Sequence, residues 1–381
     1  MGPDDNTPTD QVSVSHAGST LATALRKALL CGLTRQELAA FLAGQGIAAY
    51  RGDQVWRWLY VQRAAEWAAM RNVPAVVRAV LAAAFDIEAV ALLRTEGEPA
   101  ETVKSLLGLR DGEQIESVLI PGGARRTVCV SCQVGCKFKC AFCASGQAGF
   151  RRDLLPGEIV AQVLAAARVW GERPTHVVFM GIGEPFDNYG AVLHAIRILN
   201  DSEGLAIGAR RITISTSGVL PGIRRLAAEG LQVELSVSLH AVEDELRTRL
   251  MPVNRQYPVV ELLATCAEYA RQTGRIITFE YTLIRGVNDA RAQAELLTRR
   301  LAGIPCRVNL IPLSPVAEFT GVAAAPVAAQ EFLAILNRAH INATLRDSKG
   351  RRIRAACGQL RGRAAGAAAD PPEAAGGGWG Q

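Results

Sequence analysis

From residue 125 onward the chain keeps one rhythm. Apolar, β-rich runs at 126–131, 175–181, 211–217, 233–239, 276–283, 307–312 and 342–346 alternate with amphipathic stretches. Strands that are apolar nearly throughout are buried on both faces, which is how parallel βαβ units read. About six such units predict an α/β fold, a partial (β/α)6 TIM-like barrel over 125–362. Ligands in such barrels gather at the C-terminal ends of the strands, so chemistry is expected in the loops that follow them. Pro156 suits the first position of a helix running to Trp170.

The N-terminal third reads differently. Residues 21–95 are apolar and read as a small helical accessory domain. Thr34 and Glu37 have the spacing of a capping box, and Pro74 precedes an Ala/Val-rich helix. Trp56 and Trp58 fit its core, with a grip on a partner as the alternative. Residues 96–124 read as a β-hairpin extension, with strands at 103–109 and 114–120 around the Asp111-Gly112 turn. Residues 1–20 carry Asp4, Asp5 and Asp10 and no Lys or Arg, and read as a disordered tail rather than a secretory signal. Residues 363–381 read as a flexible Ala/Gly-rich tail. At 49% hydrophobic residues the chain is too apolar for a disordered one. No uncharged apolar run approaches the ~18 residues that a membrane span needs. The expectation is a cytoplasmic protein.

Nine cysteines, an odd number, argue against a disulfide scaffold. Five of them, Cys129, Cys132, Cys136, Cys140 and Cys143, lie within one short segment. Cys136, Cys140 and Cys143 form C-x3-C-x2-C. Three thiolates from one loop can hold three irons of a cubane cluster, leaving the fourth iron for a small chelating ligand. Zinc is the rival reading and wants a fourth ligand nearby, which Cys132 can supply. Inert buried cysteines are the plain alternative.

The net charge of +6 is concentrated. Between 341 and 363, Arg346, Lys349, Arg351, Arg352, Arg354, Arg361 and Arg363 face Asp347 alone, so this block carries the whole excess. A local basic block is the footprint of a polyanion partner, and otherwise a solvated basic turn.

The cysteine loop, with Phe142 before its last cysteine, resembles the hallmark of the radical S-adenosylmethionine (SAM) superfamily. In it the open iron chelates SAM, and electron transfer yields a 5′-deoxyadenosyl radical. Further blocks follow in order: Thr127–Cys136, Met180-Gly-Ile-Gly183-Glu184-Pro185, Ser215-Thr-Ser217-Gly218, Ser238-Leu239-His240, Asn309-Leu-Ile-Pro312 and Ala355-Ala-Cys357-Gly-Gln-Leu. Together they resemble the RlmN family over residues 20–362. Pro185 and Ser217 are more similar to RlmN than to the Cfr-like branch, which acts on carbon 8.

The resemblance implies a methyltransferase acting on carbon 2 of adenosine in 23S ribosomal RNA and, in some bacteria, tRNA. It implies one [4Fe–4S] cluster on Cys136, Cys140 and Cys143. It implies two SAM molecules per turnover, contacted by Gly183, Glu184, Ser215, Ser238, Leu239, His240 and Ser314. Cys357 matches the methyl carrier. Cys129 matches the cysteine that attacks its sulfur in a transient disulfide. Glu116 matches a proton acceptor, a task that Cys129 can also take. A small electron donor such as flavodoxin is implied, with a monomeric enzyme and no membrane partner. Two departures stand out. Ser314 stands where the family usually has Asn, and Arg352-Ile353-Arg354 where it is usually acidic. A zinc-dependent RNA-binding protein without catalysis is the reading from another class.

Overall fold

The computed structural model describes residues 27–346 and 349–361, so both expected tails lie outside the described residues. The capping box forms as the spacing predicts. Thr34 Oγ1 accepts the Glu37 amide at 3.2 Å, and Glu37 accepts the Thr34 amide at 2.7 Å, starting helix α1 (Arg35–Gly44). Helices α2 (Tyr50–Tyr60) and α3 (Ala75–Ala84) follow, and α2 buries Val55, Trp56, Leu59 and Tyr60. Trp56 is core, 1% exposed, and Trp58 is half-buried against Asn72.

The helical reading ends earlier than the sequence suggests. Val90–Glu98 is a strand, β1, and it pairs antiparallel with β2 (Thr102–Leu109). With β3 (Gln114–Gly122) and β4 (Arg125–Cys129) these form a four-stranded meander rather than a lone hairpin. β1 was hidden because only its first residue is buried, so it lacks an apolar face. Asp111-Gly112 makes the expected turn, with Gly112 at φ +89°.

From β4 onward the sheet is parallel: β5 (His176–Phe179), β6 (Ile212–Thr216), β7 (Glu234–Ser238), β8 (Ile277–Leu283), β9 (Cys306–Pro312) and β10 (Asn342–Leu345). Each pairs with the next, so consecutive strands are neighbours in the sheet. The described residues thus contain one ten-stranded sheet with β1 and β10 as its edges, open rather than closed into a barrel. Six crossovers join its seven parallel strands, which are the seven runs seen in the sequence. Helix α4 (Pro156–Trp170) has Pro156 at its start and Gly171 at φ +70° as its cap. No helix among the described residues is long and apolar enough to cross a membrane.

The helical domain is seated on α4. A Cβ on Gly157 would lie 2.7 Å from the Leu29 Cβ, so only glycine permits this approach. Cys31 Sγ lies 3.3 Å from the Gly157 carbonyl, and Arg35 pairs with Asp201 at 3.2 Å.

Candidate active site

Two cavities share the concave face of the sheet. The first lies at the C-terminal strand ends and is lined by Cys136, Cys140, Cys143, Gly183, Glu184, Ser215, Ser238, His240, Ser314 and Cys357. Ten of the thirteen site residues expected from sequence therefore converge there. The second, about 560 Å3, is lined by residues along the same strands, Thr127, Val178, Thr213, Ser236, Thr278 and Asn309 among them, and by Cys129. Met180, Glu280, Ile311, Cys357 and Leu360 belong to both linings.

The other two expected residues lie elsewhere. Leu239 is fully buried in the main core, so its main chain is what it offers the site. Glu116 lines neither cavity. It is 5% exposed, its Oε1 lies 3.2 Å from Lys104 Nζ, and its Oε2 accepts the Arg361 amide at 2.6 Å.

The cysteine loop is tied to the loop carrying Cys357. The Ala144 amide donates to the Gly358 carbonyl at 2.7 Å, and Ser145 Oγ to the Leu360 carbonyl at 2.7 Å. Gly358 has φ +82°, and a Cβ there would sit 3.1 Å from the Phe142 carbonyl. Burial pushes the Cys136 thiol up to about 12 and Cys140 well above the usual thiol range. Thiols so placed ionise only when a cation comes to them, which is what metal coordination supplies. Cys132 is 2% exposed and packs within the main core, with Glu184 and Cys136 among the charges it feels. No three His, Cys, Asp or Glu side chains among the described residues close on a single ion. A cluster asks less of them, since each thiolate meets a different iron.

Glu184 stands opposite this loop. Its carboxylate accepts the amides of Phe186 at 3.0 Å and Ser217 at 2.7 Å, which favour the charged form, while burial raises its pKa. Gly183 at φ +107° brings the backbone against Gln133, where a Cβ would lie 2.6 Å away. His240 is held at φ +57°, its Nδ1 accepting the Thr282 amide at 2.9 Å. Burial, with Arg247 nearby, pulls it down to about 3, so the ring is neutral and Nε2 carries the hydrogen. Its ring meets Phe142 edge-on at 4.8 Å, linking the cysteine loop to the β7 end.

Three further residues escaped the sequence reading. Ser217 Oγ lines the first cavity and is buried beside the Glu184 carboxylate, whose charged form it favours. Arg247 is fully buried. It donates to the carbonyls of Ser217 at 2.8 Å, Ser238 at 3.0 Å and Leu239 at 3.1 Å, and to Asn254 Oδ1 at 2.9 Å. Glu280 stands on the boundary between the cavities. Ser217 was within a quoted motif. Arg247 and Glu280 gave no signal because a charged residue in a helix or strand reads as solvated.

The second cavity is basic. Arg125, Arg307, Arg346 and Lys349 line it. Burial together with Arg346 and Arg307 lowers the Arg125 pKa, so these guanidinium groups feel one another. The basic block therefore divides. Arg346 and Lys349 face the cavity, Arg351 donates to the Pro312 carbonyl at 2.9 Å, and Arg361 pairs twice with Glu318 at 2.6 Å.

All nine cysteines are free, Cys129 and Cys357 included. Burial and the neighbouring Cys357 raise the Cys129 thiol, whereas Cys357 is itself exposed, with Glu280 among the charges it feels. Both line the second cavity, and Cys357 is among the charges felt at Cys129.

Comparison with known proteins agrees with this geometry. The radical SAM superfamily profile matches residues 130–296, and the ribosomal RNA large subunit methyltransferase N-terminal domain profile matches residues 29–87. The chain is 48% identical over 343 residues to a probable dual-specificity RNA methyltransferase RlmN of Moorella thermoacetica, covering 87% of this chain and 96% of that protein. It is 43% identical over 343 residues to the dual-specificity RNA methyltransferase RlmN of Rhodospirillum rubrum, covering 87% and 80%. A crystal structure of a radical SAM methyltransferase from Sphaerobacter thermophilus superposes with a TM-score of 0.86 at 48% identity. It covers 88% of this chain and all of that one. The superfamily brings a [4Fe–4S] cluster and SAM. The three loop thiols fit the first, and the Glu184 carboxylate with the Ser217 hydroxyl on the cavity wall fits the second.

Proposed function

We propose that this chain, which belongs to the RlmN family of radical SAM RNA methyltransferases, methylates carbon 2 of adenosine in 23S ribosomal RNA and in tRNA. One observation carries the reading: Cys357 opens into both cavities, with the cysteine loop beyond it on one side and a basic chamber on the other. A cysteine so placed can take a methyl group from one cavity and present it in the other.

The cluster and two SAM molecules supply, when bound, an electron, a methyl group and a hydrogen-abstracting radical. Everything else falls to the protein. Cys136, Cys140 and Cys143 hold the cluster. Glu184 accepts the ammonium of SAM, and Ser215, Ser217, Ser238, His240 and Ser314 line its seat. Ser314 reaches less far than the usual Asn. Cys357 carries the methyl group to carbon 2, which is electron-poor and resists direct polar methylation. Cys129, as thiolate, then attacks the Cys357 sulfur. The bond from that sulfur to the transferred carbon breaks, and its electron pair stays on the carbon, which takes a proton to become the product's methyl group. A thiol reductant reopens the resulting disulfide. The proton lost from carbon 2 goes to Cys129, which lines the chamber. Glu116, which lines neither cavity, instead holds the Cys357 loop through the Arg361 amide. Arg125, Arg307, Arg346 and Lys349 take the RNA phosphates, and the target base enters unstacked. The setting is cytoplasmic, the enzyme a monomer, and the reductant a small flavodoxin-type protein.

The test is nucleoside mass spectrometry. Ribosomal RNA and tRNA incubated with cluster-loaded enzyme, SAM and reductant should gain 2-methyladenosine. The peptide carrying Cys357 should be found one methyl group heavier. Methylation at carbon 8 would move the enzyme to the Cfr-like reaction. An unmodified Cys357 peptide and unmodified RNA would overturn the reading.

A further inference from the structure

The proposed mechanism leaves one buried acid without a task. Glu280 lies in the middle of β8 and is 6% exposed. Thr278, Glu280 and Thr282 point to the concave side, while Ile277, Phe279 and Tyr281 pack into the core. Both hydrogen bonds made by its carboxyl group fall on one oxygen. Asn309 Nδ2 donates to Oε1 at 2.9 Å, and Ser236 Oγ to the same atom at 3.3 Å. Oε2 has no partner among the described residues. Asn309 and Ser236 thus fix the group in one orientation and leave a single acceptor over. Glu280 is on the wall that both cavities share with Cys357, and its charge is felt at the Cys357 sulfur.

A carboxyl oxygen held in place on a cavity wall, with no protein donor of its own, is an acceptor open to whatever enters that cavity. The cations of the second cavity do not complete it. Arg307 is engaged by Thr278 at 2.7 Å and Glu234 at 3.1 Å, and Arg346 acts on Glu280 only through space. Whatever reaches Cys357 from the basic chamber passes this oxygen. Among the groups on the edge of a flipped adenine, the exocyclic N6 amino group is the donor, and N1, N3 and N7 are acceptors.

We propose that Glu280 is a specificity-determining residue whose Oε2 accepts the N6 amino group of the target adenine and so orients the ring toward Cys357. This rests on the RNA methyltransferase reading above. A guanine or inosine would instead turn its O6 lone pairs against the carboxylate. Loss of that donor leaves Oε2 unpaired, which is how a site built for one hydrogen bond rejects its near neighbours.

The test compares two RNA stem–loops, one with adenosine and one with purine riboside, which lacks N6, at the target position. Equilibrium binding to cluster-loaded protein without reductant is measured first, and then methyl transfer. Wild type should favour adenosine by about 10- to 100-fold, the size of one hydrogen bond to a charged group. In Glu280→Ala the two RNAs should differ by less than about threefold, while methylation of Cys357 by SAM, which needs no RNA, continues. Glu280→Gln keeps an acceptor oxygen without the charge and should retain severalfold discrimination. It also serves if the alanine variant does not fold. Undiminished discrimination in either variant, or none in wild type, overturns the inference. A wild type that methylates no RNA adenosine at all fails the methyltransferase reading, and this inference falls with it.

Discussion

Glu116 Oε2 accepts the backbone amide of Arg361 at 2.6 Å, across 245 residues of sequence. The bond pins the loop that carries Cys357, four residues upstream, to the antiparallel meander. Lys104, 3.2 Å from Oε1, fixes the other oxygen. A carboxylate occupied on both sides is well suited to hold a loop and poorly suited to collect a proton. The two roles separate by substitution. Glu116→Gln keeps an acceptor for the Arg361 amide and should retain methyl transfer to within about tenfold. Glu116→Ala leaves that amide unpaired and should lose about 100-fold, with faster protease cleavage near residue 357. If Gln is as inactive as Ala while the loop stays protected, Glu116 is the base.

His240 gives the molecule an acid-sensitive element. Its folded pKa is pulled down to about 3 by burial, whereas an unfolded chain titrates its histidines near about 6.5. Between those values the unfolded chain binds a proton that the folded one refuses. The His240 contribution is therefore complete above about pH 6.5 and is lost as pH falls toward 3. Urea midpoints at pH 7, 5.5 and 4.5 should fall faster for wild type than for His240→Gln. The slopes should differ by at most about 1.4 kcal/mol per pH unit, the limit for one proton. Parallel slopes would remove His240 from the account.

Much of this architecture was legible because its residues obey their periods. The seven parallel strands announced themselves as apolar runs, since both faces of each are covered. Pro156 and the Thr34/Glu37 pair marked their helices by chemistry that works within one turn. What stayed hidden depends on partners distant in sequence. β1 carries no buried stripe to betray it. Arg247 makes no ion pair among the described residues and finds its acceptors on three carbonyls that only the fold collects. Cys132 shares the spacing of the loop cysteines, yet its side chain turns into the core, and a pattern of residue types does not record direction. Cys136, Cys140, Cys143 and Cys357 were legible as a constellation through family resemblance, while the chamber beyond Cys357 was not.

Arg247 is the clearest stability prediction. Its three carbonyl contacts hold the ends of β6 and β7 under the first cavity, and burial lowers it to about 10. Arg247→Met would leave those carbonyls unpaired in a dry site. The expected cost is on the order of 3 kcal/mol, seen as a fall of several degrees in Tm by scanning fluorimetry. SAM affinity should fall with it, because Ser217 and Ser238 lose their support. An unchanged Tm would mean that water replaces the guanidinium.

Cys132 separates the cluster from the zinc reading. It is packed among apolar side chains, so Cys132→Ala should cost about 1–2 kcal/mol of stability through a small cavity. Iron and sulfide content and the visible absorbance should not change. Cys136→Ala, Cys140→Ala and Cys143→Ala should each abolish them. Loss of metal on changing Cys132 would bring back a fourth ligand.

Arg346 tests the basic chamber. It lines the second cavity and makes no side-chain ion pair or hydrogen bond among the described residues. A phosphate contact there releases counterions, so affinity for RNA falls with salt in proportion to the contacts made. Arg346→Ala should weaken RNA binding at 0.1 M salt by roughly tenfold and reduce the slope of log K against log salt by about 0.7 to 0.9. The loss should be alike for RNAs with adenosine or purine riboside at the target position, because a phosphate contact carries no base information. The same change at Arg338, the exposed last residue of the helix Pro326–Arg338 and not part of the second cavity's lining, should leave both quantities unaltered. A slope unaffected by Arg346→Ala would place the RNA backbone elsewhere on the surface.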